Sequence, residues 1–241
     1  MGVRGWRGRL LLDQYDFSLD TFSATFSATA DALESSNWQS SARQYQPDAA
    51  KSELTVTGYY TGAAAGTIYT EIRSRLGTES PAWVAWLLNT AALGNPAYVL
   101  RSSWGNNVTI DTPVDEMLKF DATFQGAGAG GLTLLDGTIT ATGNGSVIDF
   151  TTAGSAGGMA YLVVRSITGT ATNASVSVQS SATSGMASPT THGALTFSAV
   201  GVQELVITGA IGRYCRVVIN SLGGATAFAA SLVLCVNDVT M

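Results

Sequence analysis

The chain has 241 residues, of which 12 are Lys or Arg and 17 Asp or Glu, so only 12% are charged where soluble domains carry roughly 25%. Its 46% apolar content and mean hydropathy of +0.21 exclude an intrinsically disordered chain, and no apolar run approaches the ~20 residues of a membrane-spanning helix. A net charge of −5 and an isoelectric point near 4.7 argue against a protein that grips phosphate backbones through clustered Lys and Arg.

In chain order, Arg4, Arg7 and Arg9 are followed at once by Asp13, Asp16 and Asp20, which reads as a solvated or interface-making N-terminal arm. The start lacks the myristoylation pattern, and Leu10 to Leu12 is too short for a signal-peptide core. Residues 22–30 (FSATFSATA) and 53–60 (ELTVTGYY) alternate apolar and polar side chains at period two, as half-buried strands do. Between them lies a polar excursion, 37–45, that carries Trp38, Arg43 and Tyr45. Residues 67–76 predict a helix: Ile68, Ile72 and Leu76 repeat at i, i+4, i+8, Glu71 and Arg75 pair at i, i+4, and Gly77 sits where a helix stops. The run 81–88 is a buried strand or a short second helix, and periodicity does not separate the two. Residues 119–125 alternate again. Gly126-Ala-Gly-Ala-Gly-Gly131 has the composition of a flexible linker.

Composition changes at that run. Residues 1–131 hold 9 basic and 13 acidic side chains and every Trp, whereas 132–241 hold 3 and 4. Two domains are expected, 1–127 and 128–241, joined by the linker at about 126–131. The second half offers seven or eight short strands in about 110 residues, including 160–164, 174–178, 204–207, 215–219 and 231–236, separated by Gly, Ser, Thr and Asn. Such spacing predicts an antiparallel β-sandwich of immunoglobulin-like or jelly-roll type.

Catalytic and ligand motifs are weak. The glycine run formally matches G-x-G-x-x-G, but residues 132–140 read as strand, so no helix N-terminus would receive a pyrophosphate. His192 is the lone histidine and lies in a turn-like stretch, with no G-x-S-x-G elbow in the chain. Asp111, Asp115 and Glu116 lack the spacing of an EF-hand loop and read as a solvated turn. Cys215 and Cys235 are 20 residues apart in apolar runs, without metal-ligand spacing, and are expected to be free buried thiols. The expectation is a non-enzymatic protein with no cofactor and no bound metal. An esterase or glycosidase built on His192, Asp111 or Glu116 is the disfavoured alternative.

Two stretches carry a family likeness. Residues 10–18 (LLLDQYDFS), 29–34 (TADALE), 41–47 (SARQYQP) and 52–62 (SELTVTGYYTG) resemble the opening of tail tube, or major tail, proteins of long-tailed bacteriophages. The second half, most sharply Ile211-Gly-Arg-Tyr-Cys-Arg216, resembles the β-sandwich appended to many phage structural proteins. The resemblance implies a mainly β chain: an N-terminal tail-tube-like β-sandwich or barrel with one flanking helix, then the antiparallel sandwich. It also implies a virion tail protein, assembled in the host cytoplasm, whose copies close into hexameric rings stacked as a DNA-conducting tube. Tape measure, terminator and tip proteins would be its neighbours, DNA would pass without specific binding, and the appended sandwich would touch the host surface weakly. A tail-tip, fibre or capsid-decoration protein is the rival assignment. For assembly contacts the candidates are Trp6, Arg7 and Arg9 in the arm and Trp38, Arg43 and Tyr45 in the excursion, all equally able to pack locally instead.

Overall fold

The computed structural model describes residues 8–29, 32–34, 45–47, 51–62, 66–76, 82–88, 93–111 and 117–237. Strands β1 (Arg9–Leu12), β2 (Tyr15–Asp16), β3 (Thr21–Thr29), β4 (Ala32–Glu34), β5 (Tyr45–Pro47) and β6 (Lys51–Tyr59) precede helix α1 (Ile68–Arg75). They are followed by β7 (Ala82–Leu87), β8 (Pro96–Asp111), β9 (Lys119–Ile139), β10 (Gly143–Asn144), β11 (Ile148–Asp149) and β12 (Gly158–Gly169). The chain continues through β13 (Ala174–Ser181), β14 (Thr190–Phe197), β15 (Gly201–Ile207), β16 (Tyr214–Ser221) and β17 (Ala225–Val236). The fold is mainly β, with antiparallel sheets and, among the described residues, one helix. The run 81–88, open to two readings in the sequence, is strand β7.

Contacts divide the chain into two compact units, one of residues 1–19, 83–99 and 129–241 and the other of 20–82 and 100–128. The first unit holds the sandwich. One of its sheets has the order β15-β12-β17-β9-β8-β7-β1-β2, and the other β10-β16-β13-β14 with β11 beside β16. Between them lies a core that includes Leu162, Val176, Val178, Val217, Leu232 and Leu234, with Phe197 and Phe228 edge to face at 5.0 Å. Strand β16 alternates buried and half-exposed residues over 214–219 because only one face is covered. By contrast, β12 and β17 are buried over 160–164 and 230–236 on consecutive residues. Their second face is covered too: Tyr161, Val163, Val233 and Cys235 pack with Leu11, Leu87, Ala97 and Val99 from β1, β7 and β8. A strand buried on both faces reads as an unbroken apolar run, which is what Tyr161-Leu-Val-Val and Leu232-Val-Leu-Cys-Val spell.

The other unit is built on β3-β6-β9. Ser52, Leu54, Val56 and Gly58 of β6 turn inward, as do Phe120, Ala122 and Phe124 of β9. Helix α1 buries Ile68 and Ile72, as the i, i+4 spacing predicts, whereas Leu76, the third of the series, caps the helix and is exposed. Glu71 reaches back from the first turn to accept the Gly66 N–H at 3.2 Å.

The glycine run does not form a linker; it lies inside β9. A Cβ on Gly126 would stand 2.8 Å from the Arg101 carbonyl oxygen, one on Gly128 2.3 Å from Ser52 Cβ, and one on Gly131 2.5 Å from the Leu234 carbonyl oxygen. These glycines serve close approach to neighbouring chain segments rather than flexibility.

Candidate assembly surfaces

Of the six candidate contact residues, Trp6, Arg7, Trp38 and Arg43 lie outside the described residues, and Tyr45 is described only as the first residue of β5. Arg9 is placed. Its Nη1 lies 3.3 Å from Asp16 Oδ2 and 3.2 Å from Asp136 Oδ1, ionic contacts without the alignment of hydrogen bonds. Arg165 faces the same two carboxylates, donating from Nη1 to Asp16 and from Nη2 to Asp136, each at 3.2 Å. The register between β12 and β17 skips Arg165, between Val164 and Ser166, and such a bulge re-aims one side chain. Ser231 Oγ completes the cluster, donating to Asp136 at 2.7 Å. Two positive and two negative groups thus fix the β1–β2 hairpin on its own unit.

In the second unit, the side chains of β3, β6 and β9 that point away from the core are mostly short and polar. Ser23, Thr25 and Ser27 are exposed on β3. On the neighbouring strands, Thr57 Oγ1 donates to Asp121 at 2.5 Å, Gln125 Nε2 donates to Glu53 at 2.9 Å, and Thr55 and Thr123 meet at 3.4 Å. Among the described residues β3 pairs only with β6, and no second strand is laddered onto its other edge. A second edge differs in kind: among the described residues β7 has six residues against sixteen in β8 and cannot pair with the whole of it. At Gly105 of β8 a single parallel bridge reaches Leu76.

The Ile211–Arg216 motif is explained by packing. Ile211 is buried and bridges to Gly154, and a Cβ on Gly212 would fall 2.6 Å from the Ser181 backbone. Arg213 grips Asp149 with a two-pronged bond, Nε to Oδ1 at 2.6 Å and Nη2 to Oδ2 at 2.7 Å, which holds that carboxyl below its usual range. Arg216 donates twice to Gln179 Oε1, at 3.0 and 2.8 Å, and Gln179 passes a bond to Thr191.

The residues considered for catalysis do not converge. Asp111 ends β8, exposed, while Asp115 and Glu116 lie outside the described residues. His192 is not in an exposed loop: it belongs to β14, half-buried, because the Thr-Thr-His-Gly stretch continues the ladder onto β13. An apolar cleft lined by Leu11, Leu87, Val99, Tyr161 and Val233 has about 10 Å³ of free volume. That is the room of one water, far below the roughly 300 Å³ at which ligand pockets begin.

Cys215 and Cys235 are free and buried, and burial pushes both thiols up to about 12. Neither forms appreciable thiolate at neutral pH. A thiol-specific reagent at pH 8 is therefore expected to label neither cysteine in the folded protein and both in denaturant; rapid labelling without denaturant would contradict the buried placement.

No family model matches the sequence, and no curated protein matches it. Solved structures similar in fold include the tube-terminating cap of the anti-feeding prophage (14% identity, TM-score 0.42, 55% of this chain and 92% of that one). The SPP1 tail tube is another (11%, 0.39, 52% and 75%), and so is the SPP1 Dit protein of the hub adsorption apparatus (10%, 0.33, 94% and 98%). With identities at or below 14% and TM-scores below 0.5, none of them carries weight in assigning a role to this chain.

Proposed function

We propose that the chain is a non-enzymatic structural protein of a phage-type tail, a tube subunit whose copies close into rings through their sheet edges. One observation carries the reading: β3, a nine-residue strand with no charged residue, no proline and a register shift only at its start, between Thr21 and Ser23, pairs with β6 alone among the described residues. Monomeric proteins normally protect such an edge with Lys, Pro, bulges or a covering element, because open N–H and C=O groups template pairing with another chain. A second, different edge on β8 makes a head-to-tail contact possible, and head-to-tail contacts generate closed rings when the rotation per copy divides the circle. Six copies per ring follow the tail tubes that the N-terminal motifs resemble.

The polar face beside that edge mixes Lys51 and Lys119 with Glu53 and Asp121, in a chain of net charge −5. Such a surface would let DNA slide, since tight holding needs a surplus of Lys and Arg. In this reading the sandwich decorates the outside, where it makes any contact with the host surface, and terminator, tape measure and tip proteins meet the ends of the tube. The particle would be assembled in the host cytoplasm.

Lysine at three exposed edge positions, in a S23K/T25K/S27K variant, is expected to abolish rings and tubes in negative-stain images and sedimentation while leaving the melting temperature unchanged. Assembly equal to wild type would remove the edge from the mechanism. Wild-type protein that forms only discrete trimers or monomers would favour a tail-tip or fibre role instead.

A further inference from the structure

The lone histidine sits at an irregularity. Between β13 and β14 the register steps from Val178 opposite Gly193 to Gln179 opposite Thr191, so His192 is skipped by the pairing. Its Nε2 lies 2.7 Å from Ser180 Oγ. Ser180 is 2% exposed, and the same Oγ accepts the Gly212 N–H at 2.8 Å. A backbone amide only donates, so the arrangement that satisfies every group directs the hydroxyl hydrogen of Ser180 at His192 Nε2, with the imidazole neutral and its proton on Nδ1. Gly212 N–H, Ser180 O–H and His192 Nε2 form one directed chain joining β14, β13 and the turn before β16.

That turn is closely fitted. Gly212 lies against the Ser181 backbone with no room for a Cβ, Ile211 is bridged to Gly154, and Arg213 is forked on Asp149. Protonation of His192 places a hydrogen on Nε2, which can then only donate. Ser180 Oγ would have to accept from both sides, leaving its own hydrogen without a partner in a buried site, a costly arrangement.

Charged groups on the surrounding elements do not offset this. Arg213 of the turn and Asp149 of β11 neutralise each other, and Arg216 of β16 is bound to Gln179. On β15, Leu205 is the residue that reaches Gly193, so Glu204, its neighbour on an alternating strand, points the other way. On β14 and β13 the flanking Thr191, Gln179 and Ser181 are uncharged.

We propose that His192 is an acid latch: neutral, it closes the Gly212–Ser180 chain, and on protonation it releases the turn at 208–213 and loosens the β13–β14 pairing at the bulge. Burial pushes the imidazole below the ordinary histidine value, which keeps the latch closed at neutral pH. The sign follows: the unfolded chain takes up the proton more readily, so the stabilisation is complete above the unfolded value of about 6.5 and falls away as pH drops below it.

Hydrogen exchange read by mass spectrometry on the full chain tests this, because a single histidine makes the imidazole C2–H exchange curve unambiguous. The expected result is a His192 midpoint below 6.5 and, through the same midpoint, a roughly tenfold loss of amide protection in a 208–214 peptide after correction for intrinsic rates. His192→Gln, which keeps an acceptor but does not titrate, is expected to remove that pH dependence. A midpoint at or above 6.5, protection at 208–214 that is flat across the titration, or a pH dependence that survives in His192→Gln would each overturn the latch.

Discussion

Replacing Asp136 with alanine is expected to lower the stability of the folded chain by about 3–5 kcal/mol, the range for removing one partner from a buried ion network. The Asp136 side chain is 4% exposed and stands 3.2 Å from both Arg9 and Arg165, with Ser231 donating to it at 2.7 Å. Without it the two guanidinium groups are left with Asp16 alone, whose side chain is 31% exposed and partly screened by water. For a chain of this length the loss corresponds to a fall in melting temperature of roughly 6–20 °C. Asp16→Ala supplies the comparison, since a half-exposed partner contributes less. Equal and small losses for the two variants, read from denaturant midpoints, would mean that the cluster behaves as a surface pair.

The second large effect is steric. Gly131→Val is expected to cost about 3 kcal/mol or more, the upper end for overpacking, and to yield little soluble protein, because its Cβ would fall 2.5 Å from the Leu234 carbonyl oxygen and 2.7 Å from Cys235 Sγ. A carbonyl oxygen fixed in a sheet cannot move aside as the end of a flexible side chain can. Gly185 supplies the control: nothing lies within 4 Å of a Cβ built there, so Gly185→Ala is expected to change stability by no more than about 0.5 kcal/mol. If residues 126–131 were a linker, Gly131→Val would be as silent as Gly185→Ala, and circular dichroism melts of the two proteins decide it.

Local signals match the fold where one physical cause leaves one mark. Ile68 and Ile72 fall on the buried side of α1 as their spacing requires. Leu54 and Val56 alternate with Thr55 and Thr57 on β6, and Val217 and Ile219 with Arg216 and Val218 on β16, because one face meets the core and the other does not. The free buried cysteines were legible from the apolar runs that hold them. Other features were not legible. The run 126–131 looks flexible because glycine marks both freedom and crowding, and only the Leu234 carbonyl and the Ser52 side chain show which applies. His192 looked like part of a turn because its neighbours are Ser, Pro, Thr and Gly. The ladder to β13 nevertheless runs through Thr190 and Thr191.

The candidate surfaces divide in the same way. Arg9 stood out in the sequence as part of a basic arm, and its two carboxylate partners are 7 and 127 residues away along the chain, so only the second of them was beyond local reading. That β3 pairs with β6 alone among the described residues depends on what does not lie beside it, which no local pattern records. The Ile211–Arg216 motif was visible as a motif, but its roles, a bridge, a close approach and two side-chain clamps, appear only when Gly154, Ser181, Asp149 and Gln179 are brought beside it.

By itself the sequence determined that this chain folds as mainly β with a short helix, where most of its strands lie, and that its net charge is −5. These follow from period, composition and burial preference, which act over a few residues at a time. Tertiary structure alone decided that residues 83–99 join 129–241 in one compact unit, that β12 and β17 are covered on both faces, and that β9 runs unbroken through its glycines. The reason is that strand pairing is made by backbone groups common to every residue. Which segments pair, and how closely they approach, is therefore fixed by the whole set of long-range contacts rather than by any one stretch of side chains.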